Sequence, residues 1–211
     1  MPALSTLALF LLAALGLLLV PGPAVIYIVT RSAAHGRRAG FASVLGVEIA
    51  GLIHAMAAAL GLSALLLTSA LAFQLVKYAG AAYLVYLGVR TLLSRDEGNA
   101  DLVPAQANLT QLFARGLVVN LLNPKTALFF YAFLPQFVDP LKGAVQGQIF
   151  LLGLMFVSLA TCTDGMYALL ASSVGRLLFR TARIRSFRRY VSAGIYMALG
   201  VAAAVTGAEK R

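Results

Sequence analysis

Six long apolar runs, separated by short polar linkers, are the feature that most limits what this chain can form. The runs cover residues 4–30, 41–68, 73–93, 116–137, 145–171 and 189–207. A helix needs about 20 apolar residues to cross the hydrocarbon core of a bilayer, and each run has roughly that length or more. Charged residues make up 11% of the chain, whereas soluble domains typically have about 25%. The pattern predicts an all-α integral membrane protein with six transmembrane helices, forming a single membrane domain over residues 1–211.

The positions of the basic residues predict which linkers face the cytoplasm. Twelve Lys and Arg residues lie in or beside the first, third and fifth linkers: Arg31, Arg37, Arg38, Arg90, Arg95, Arg115, Arg176, Arg180, Arg183, Arg185, Arg188 and Arg189. Basic residues are concentrated on the cytoplasmic side of membrane proteins. We therefore expect a bacterial inner-membrane protein with the odd-numbered linkers in the cytoplasm and both termini in the periplasm. The formal net charge of +10 reflects this topology and does not indicate a nucleic-acid partner.

Two short segments indicate an internal repeat. GAAYLVYLGV at 80–89 resembles SAGIYMALGV at 192–201, at an offset of 112 residues. The polar linker 94–115 would then be a cytoplasmic connection between two halves, residues 1–93 and 116–211. Because each half has an odd number of helices, three, the second half enters the membrane with the opposite orientation. The sequence thus predicts two inverted three-helix repeats, an architecture found in many secondary transporters.

Prolines interrupt the first and the fourth runs. The residues around the two breaks are Pro21, Gly22 and Pro23 in the first run, and Asn120, Asn123, Pro124, Lys125 and Thr126 in the fourth. A proline removes a backbone donor and clashes with the preceding turn, so we predict that helices 1 and 4 are broken. Unwound backbone at membrane depth is tolerated only where it is buried in protein or lines a wet cavity. The two breaks are therefore candidates for a substrate-binding site.

Two acidic residues lie at the same predicted depth as the breaks. Glu48 is seven residues inside the second run, Asp164 is seven residues before the end of the fifth, and Pro23 and Asn123 have matching offsets. At about 1.5 Å per residue, all four lie about 10 Å from the cytoplasmic boundary. We expect the breaks and the acids to meet around one hydrated cavity.

This mixture of groups suits a zwitterion. Glu48 and Asp164 would exchange protons and contact a substrate ammonium. Lys125 and the N-terminal helix end at Thr126 would hold its carboxylate, since free N–H groups at a helix start favour an anion. The mechanism would be proton-coupled antiport by alternating access between the two halves.

Other polar or small residues of the second run have simpler interpretations. His54 is a secondary candidate that lies deeper than Glu48. We favour its interpretation as a packed, hydrogen-bonded histidine over that as a proton relay. Small residues recur along the same run at Gly46, Ala50, Ala57 and Gly61. Such spacing allows neighbouring helices to approach closely.

Two other classes of function are open to a membrane protein of this kind. A divalent-cation exporter would use Glu48, Asp164, His54 and Cys162 as ligands, but these residues form no closely spaced cluster in the sequence. An intramembrane enzyme would need a signature such as H-E-x-x-H, G-x-S-x-G or paired aspartates, and the runs contain none. We therefore expect no catalytic residues, no resident metal and no cofactor.

The chain resembles the lysine exporter (LysE/RhtB) family of amino-acid efflux proteins. The resemblance rests on VPGPAVIYI (20–28), GRRAGFASVLGVEIAGLIHAMAAALGLSALL (36–66), LVKYAGAAYLVYLGVR (75–90), FARGLVVNLLNPKTALFFYAFLPQFV (113–138) and TDGMYALL (163–170). It implies a six-helix carrier that exports amino acids or close derivatives, driven by the proton motive force. The exported amino acid, the proton stoichiometry and the formation of a homo-oligomer are left open.

One position departs from the family pattern. The family often has an aspartate where this chain has Gly51, so Gly51 is a secondary candidate for the site. Glu48 lies three residues earlier, on the same helix face. We hypothesise that Glu48 takes over the role of the missing aspartate.

Overall fold

The computed structural model describes residues 4–62 and 108–174, together with scattered positions between 75 and 93 and at 197 and 201. The two long ranges are helical and contain no strand. Their α-helices are α1 (Leu4–Leu19), α2 (Pro23–Ala57), α3 (Leu109–Leu121), α4 (Pro124–Leu128) and α5 (Val145–Val174). The predicted all-α class is confirmed for this part of the chain. The third and sixth predicted helices, and with them the repeat, fall largely outside the described residues.

Helix α2 folds back on itself at Gly36. Gly36 has φ +79° and ψ −173°, a left-handed conformation that glycine adopts without steric cost. A Cβ on Gly40 would lie 3.1 Å from the Cβ of Ser32, whereas these residues would be about 12 Å apart along a straight helix. Residues 23–35 and 37–57 are therefore two arms joined by a sharp turn.

Two predicted linkers are longer than the structure allows. The linker predicted at 31–40 is helical on both sides of Gly36, because one glycine is enough to reverse the chain. The linker predicted at 94–115 ends earlier, since α3 already begins at Leu109. The Asn108 side chain caps this helix by accepting hydrogen bonds from the N–H groups of Thr110 and Gln111, at 3.0 and 3.4 Å.

Both predicted helix breaks are present. Residues 20–22 separate α1 from α2, and α3 is bent by 49° from the helical segment that follows it, Pro124–Phe137. The second half-helix begins at Pro124 and not near Thr126 as expected. The reason is local: proline suits the first position of a helix, and the Asn123 side chain accepts a hydrogen bond from the Lys125 N–H at 3.1 Å.

Two described helices are long and apolar enough to cross a membrane, Pro23–Gly61 and Val145–Ser173. The bent pair Leu109–Leu121 and Pro124–Phe137 is a third if it forms one span. Because the first of these folds back at Gly36, only its second arm is a candidate for a full crossing.

One face of this second arm is apolar and exposed. The face consists of side chains that are between 40% and 61% exposed: Leu45, Ile49, Ile53, Met56 and Leu60. The opposite face carries the buried side chains of Glu48 and His54. A contiguous apolar stripe of this kind suits contact with lipid.

Aromatic side chains hold the segments around the breaks together. The ring of Phe129 stacks on that of Phe156 in α5, with 4.1 Å between centroids. Phe10 of α1 contacts Phe129 and, edge to face, Phe137, at 5.9 and 5.3 Å. Removing a buried phenylalanine side chain typically costs about 3–5 kcal/mol. These contacts therefore fix α1 and the segment after α4 relative to α5.

Helices α2 and α3 approach most closely at two glycines. A Cβ on Gly46 would overlap the carbonyl oxygen of Phe113, and a Cβ on Gly116 would lie 2.7 Å from the carbonyl oxygen of Ser43. The close packing predicted for Gly46 is confirmed. A Cβ on Gly61, by contrast, would meet nothing within 4 Å.

We expect the substitution Gly46→Ala to lower the melting temperature in detergent, because the added methyl group can be accommodated only if the backbone of α3 moves. Overpacking of this kind costs about 1–3 kcal/mol. Gly16→Ala in α1 is the matched control, since its Cβ would meet nothing within 4 Å. Equal melting temperatures for the two variants would contradict the close packing.

Candidate functional site

The two helix breaks and the two acids surround one small cavity. Its polar lining consists of Glu48, Asn120, Asn123, Lys125, Thr126 and Asp164. The space open to the centre of a water molecule is about 30 Å³, and one water needs about 10–15 Å³ on this measure. The cavity therefore has room for about two waters, which is too little for an amino acid.

Glu48 and Asp164 form a buried carboxyl pair. Their side chains are only 7% and 3% exposed, and the two carboxyl groups interact electrostatically. Two ionised carboxylates in one buried site repel each other, which favours a proton on one of the two groups. Glu48 Oε1 and Asp164 Oδ1 are also buried, and neither has a hydrogen-bond partner in the described residues. Unpaired buried oxygens are costly, so the pair is suited to receive a further proton or a cation.

Lys125 connects the two breaks. Its side chain is 7% exposed, and its Nζ donates a hydrogen bond to the carbonyl oxygen of Val20, just beyond the end of α1. The ammonium also interacts electrostatically with Asp164. The carbonyl group beyond the end of α1 thus binds a cation, and this cation is Lys125 itself. Contact of Lys125 with a substrate carboxylate stays a prediction.

Asn120 ties the second break to α2. Its Nδ2 donates to the carbonyl oxygen of Val47 at 2.8 Å. Its Oδ1 accepts from Asn123 Nδ2 at 3.1 Å and from Thr126 Oγ1 at 2.8 Å. One side chain therefore positions the residues of α3, α4 and the second arm of α2 that line the cavity.

His54 lies behind the cavity and not in its lining. Its Nε2 is 3.2 Å from the carbonyl oxygen of Asn120, and its Nδ1 is 3.4 Å from the hydroxyl of Tyr131. The imidazole also stacks on Phe130, with 5.9 Å between ring centroids. These contacts are those of a packed, hydrogen-bonded histidine.

The prolines of the breaks do not line the cavity, but two glycines do. Pro23 and Pro124 are exposed at the first positions of their helices, and Pro21 lines a separate outer groove. Gly22 and Gly51 belong to the cavity lining. A Cβ on Gly51 would lie 3.7 Å from Glu48 Oε2. Position 51 is therefore adjacent to the Glu48 carboxyl group, as required if Glu48 takes over the role of the family aspartate.

Sequence reasoning missed two side-chain contacts, those of Tyr167 and Arg31. The hydroxyl of Tyr167 donates to the carbonyl oxygen of Leu19 at 3.1 Å, at the first break. Tyr167 lies three residues after Asp164, and that helical spacing was the available signal. Arg31 was read as a topology determinant, yet it is 8% exposed and its guanidinium lies 5.4 Å from the centre of the Tyr27 ring.

Comparison with known proteins supports the resemblance drawn from the motifs. A protein of Vibrio cholerae described as an uncharacterized membrane protein is 30% identical over 192 residues, which is 91% of this chain and 93% of that protein. The homoserine/homoserine lactone efflux proteins of Salmonella typhimurium and Salmonella typhi are each 33% identical over 165 residues, 78% of this chain and 80% of theirs. No solved structure matches significantly.

The family comparison covers nearly the full length. The model of the LysE type translocators matches residues 15–207, a range that includes both breaks and both buried acids. The similarity is therefore to a membrane transport protein and extends through the cavity. The chain belongs to the LysE type translocator family.

Proposed function

We propose that this protein exports a small amino acid or a close derivative from the cytoplasm by proton antiport. The observation that carries the proposal is the Glu48–Asp164 pair, two buried acids with unpaired oxygens that line one small cavity between two helix breaks. The Salmonella relatives are named for the efflux of homoserine and homoserine lactone. These two compounds share an amino group, whereas the lactone has no free carboxylate. Recognition through the amino group therefore agrees with the acidic pair.

Exchange of substrate and proton follows from the chemistry of the pair. A nearby ammonium favours the ionised form of a carboxyl group, while a bound proton removes the charge that attracts the ammonium. Binding of the substrate ammonium to Glu48 and Asp164 therefore promotes release of their shared proton, and reprotonation promotes release of the substrate. Mutual exclusion at one site is the thermodynamic basis of antiport.

Transport also requires the cavity to open alternately to the two sides of the membrane. The small size of the cavity supports this, because an amino acid fits only if the surrounding helices separate. In the proposal, two inverted three-helix repeats, residues 1–93 and 116–211, move against each other around the site. The inner membrane, periplasmic termini and a cytoplasmic connection between the repeats belong to the same proposal.

Export of a divalent cation is not favoured. Among the described residues, no three His, Cys, Asp or Glu side chains come together to hold a metal ion. Cys162, one of the four ligands considered, is exposed, whereas Glu48 and Asp164 are buried. A transition-metal site would need its ligands on one centre.

The substrate class is tested by export from cells that lack their own amino-acid exporters. Cells that express the protein should release at least one member of a panel of small amino acids and derivatives, homoserine and its lactone included, faster than cells with an empty vector. The external concentration of each compound is measured over time. If cells with the protein and cells with the empty vector release every compound of the panel at the same rate, amino-acid export is contradicted.

Proton coupling is tested with purified protein in vesicles that are loaded with the exported compound. Because protons enter the vesicle as substrate leaves it, an imposed pH gradient with the acidic side outside should accelerate efflux. Collapse of the gradient by a protonophore should abolish the acceleration. Protein-free vesicles provide the control. Efflux that is independent of the gradient would remove proton antiport from the proposal.

Both acids are expected to be needed for transport. Glu48→Gln and Asp164→Asn should each reduce efflux by about tenfold or more, because a hydrogen bond to a charged group contributes about 1.5–3 kcal/mol and 1.4 kcal/mol corresponds to tenfold. Asp139→Asn is the matched control, since Asp139 lies outside the cavity beside Lys142. Full efflux by Glu48→Gln together with loss in Asp164→Asn would disprove the replacement of the family aspartate by Glu48.

A further inference from the structure

We infer that Lys125 occupies, in this structure, the position that the substrate ammonium takes during transport. The inference rests on the proposed function and adds the internal group that the substrate has to displace. Lys125 would thus act as a built-in competitor for the ammonium subsite, whose acceptor oxygens come from Val20 and Asp164.

The partners of Lys125 are those expected of a bound amine. Its Nζ donates to the Val20 carbonyl oxygen and interacts electrostatically with Asp164, which lines the same cavity as Glu48. The lysine side chain and an α-amino group both end in –NH₃⁺, with three donors and no acceptor. A subsite built from a carbonyl and carboxyl oxygens does not distinguish the two groups by chemistry.

The cavity is too small to hold the Lys125 ammonium and the substrate ammonium at the same time, so one must replace the other. Room for about two waters remains beside Lys125, and Lys125 is the one Lys or Arg among the described residues that line this cavity. Two ammonium groups in so small and dry a space would repel each other strongly. Entry of the substrate ammonium must therefore move Lys125 away from Val20.

Displacement of Lys125 also breaks a connection between two helices. The Lys125–Val20 hydrogen bond joins the start of α4 to the end of α1, that is, the two helix breaks. When the substrate supplies the ammonium instead, α1 and α4 lose this tether. Occupation of the subsite is thereby linked to the separation of the helices that opening requires.

The test is chemical rescue of Lys125→Ala with propylammonium, which restores the atoms that the substitution removes. Propylammonium should raise the melting temperature of the detergent-solubilised variant by about 3–6 °C at ten times its Kd, and should leave the wild-type protein unchanged. The wild type does not respond because Lys125 already fills the subsite. Propan-1-ol, which has a similar shape and no charge, should have no effect on either protein.

Two further variants control for size and for folding. Lys125→Met fills the space without a charge and should not respond to propylammonium, and neither should Lys142→Ala, which removes an exposed lysine. If Lys125→Ala alone is not recovered folded, the measurement is made on Lys125→Ala combined with Glu48→Gln, which removes one buried acid as well as the buried base. Absence of a propylammonium-specific shift in the recovered variant would overturn the inference, as would an equal shift in the wild type.

This test is independent of the identity of the transported compound. Propylammonium has no carboxylate, so any contact between Lys125 and a substrate carboxylate does not affect the result. Rescue without amino-acid export would disprove the proposed function and leave the ammonium subsite in place. Export without rescue would retain the transporter and reject Lys125 as the competitor.

Discussion

Two interrupted helices in the apolar part of the chain place the strongest constraint on this structure. A helix that stops inside a bilayer leaves carbonyl and N–H groups without partners, and lipid cannot supply any. Here the missing partners come from side chains. Lys125 donates to the Val20 carbonyl at the first break, and Asn123 caps the helix that starts after the second. Side chains of the second break therefore supply hydrogen-bond partners to the free backbone groups at both breaks. This explains why the two breaks lie together.

The same contacts determine the charge of the cavity. One base, Lys125, and two acids, Glu48 and Asp164, line the cavity, so the charges of these buried groups balance when one of the two acids holds a proton. Buried charges are tolerated when they are paired and hydrogen-bonded. Addition or removal of a single proton, or arrival of an ammonium, disturbs this balance. A neutral but easily unbalanced site is what exchange of a cationic group for a proton requires.

Close helix packing keeps these groups in register. Gly46 and Gly116 allow α2 and α3 to approach until backbone atoms nearly touch. Asn120 of α3 can then reach the Val47 carbonyl of α2 at 2.8 Å and also bind both Asn123 and Thr126. Small residues in membrane helices commonly have this effect, because packing and polar contacts replace the hydrophobic drive for association. The cavity walls therefore depend on glycines that carry no functional group.

Much of the local structure was predictable from the order of residues. Prolines at 21, 23 and 124 marked both breaks, and the fifth run, predicted at 145–171, is observed as Val145–Val174. The linkers at 31–40 and 94–115 were predicted too long, because polarity alone does not show that a single glycine can turn a helix or that Asn108 begins one. Equal depth along the chain correctly brought Glu48 and Asp164 to one cavity, since helical rise converts residue counts into height.

The partners across the cavity depended on the tertiary structure. The sequence by itself determined the helical class and the positions of the breaks, because proline and the lack of hydrogen-bonding groups in lipid act along each segment separately. Only the fold decided that Lys125 binds Val20, that Glu48 and Asp164 form a buried pair and that His54 lies outside the lining. These contacts depend on rotation and spacing between helices, and side chains distant in sequence set both.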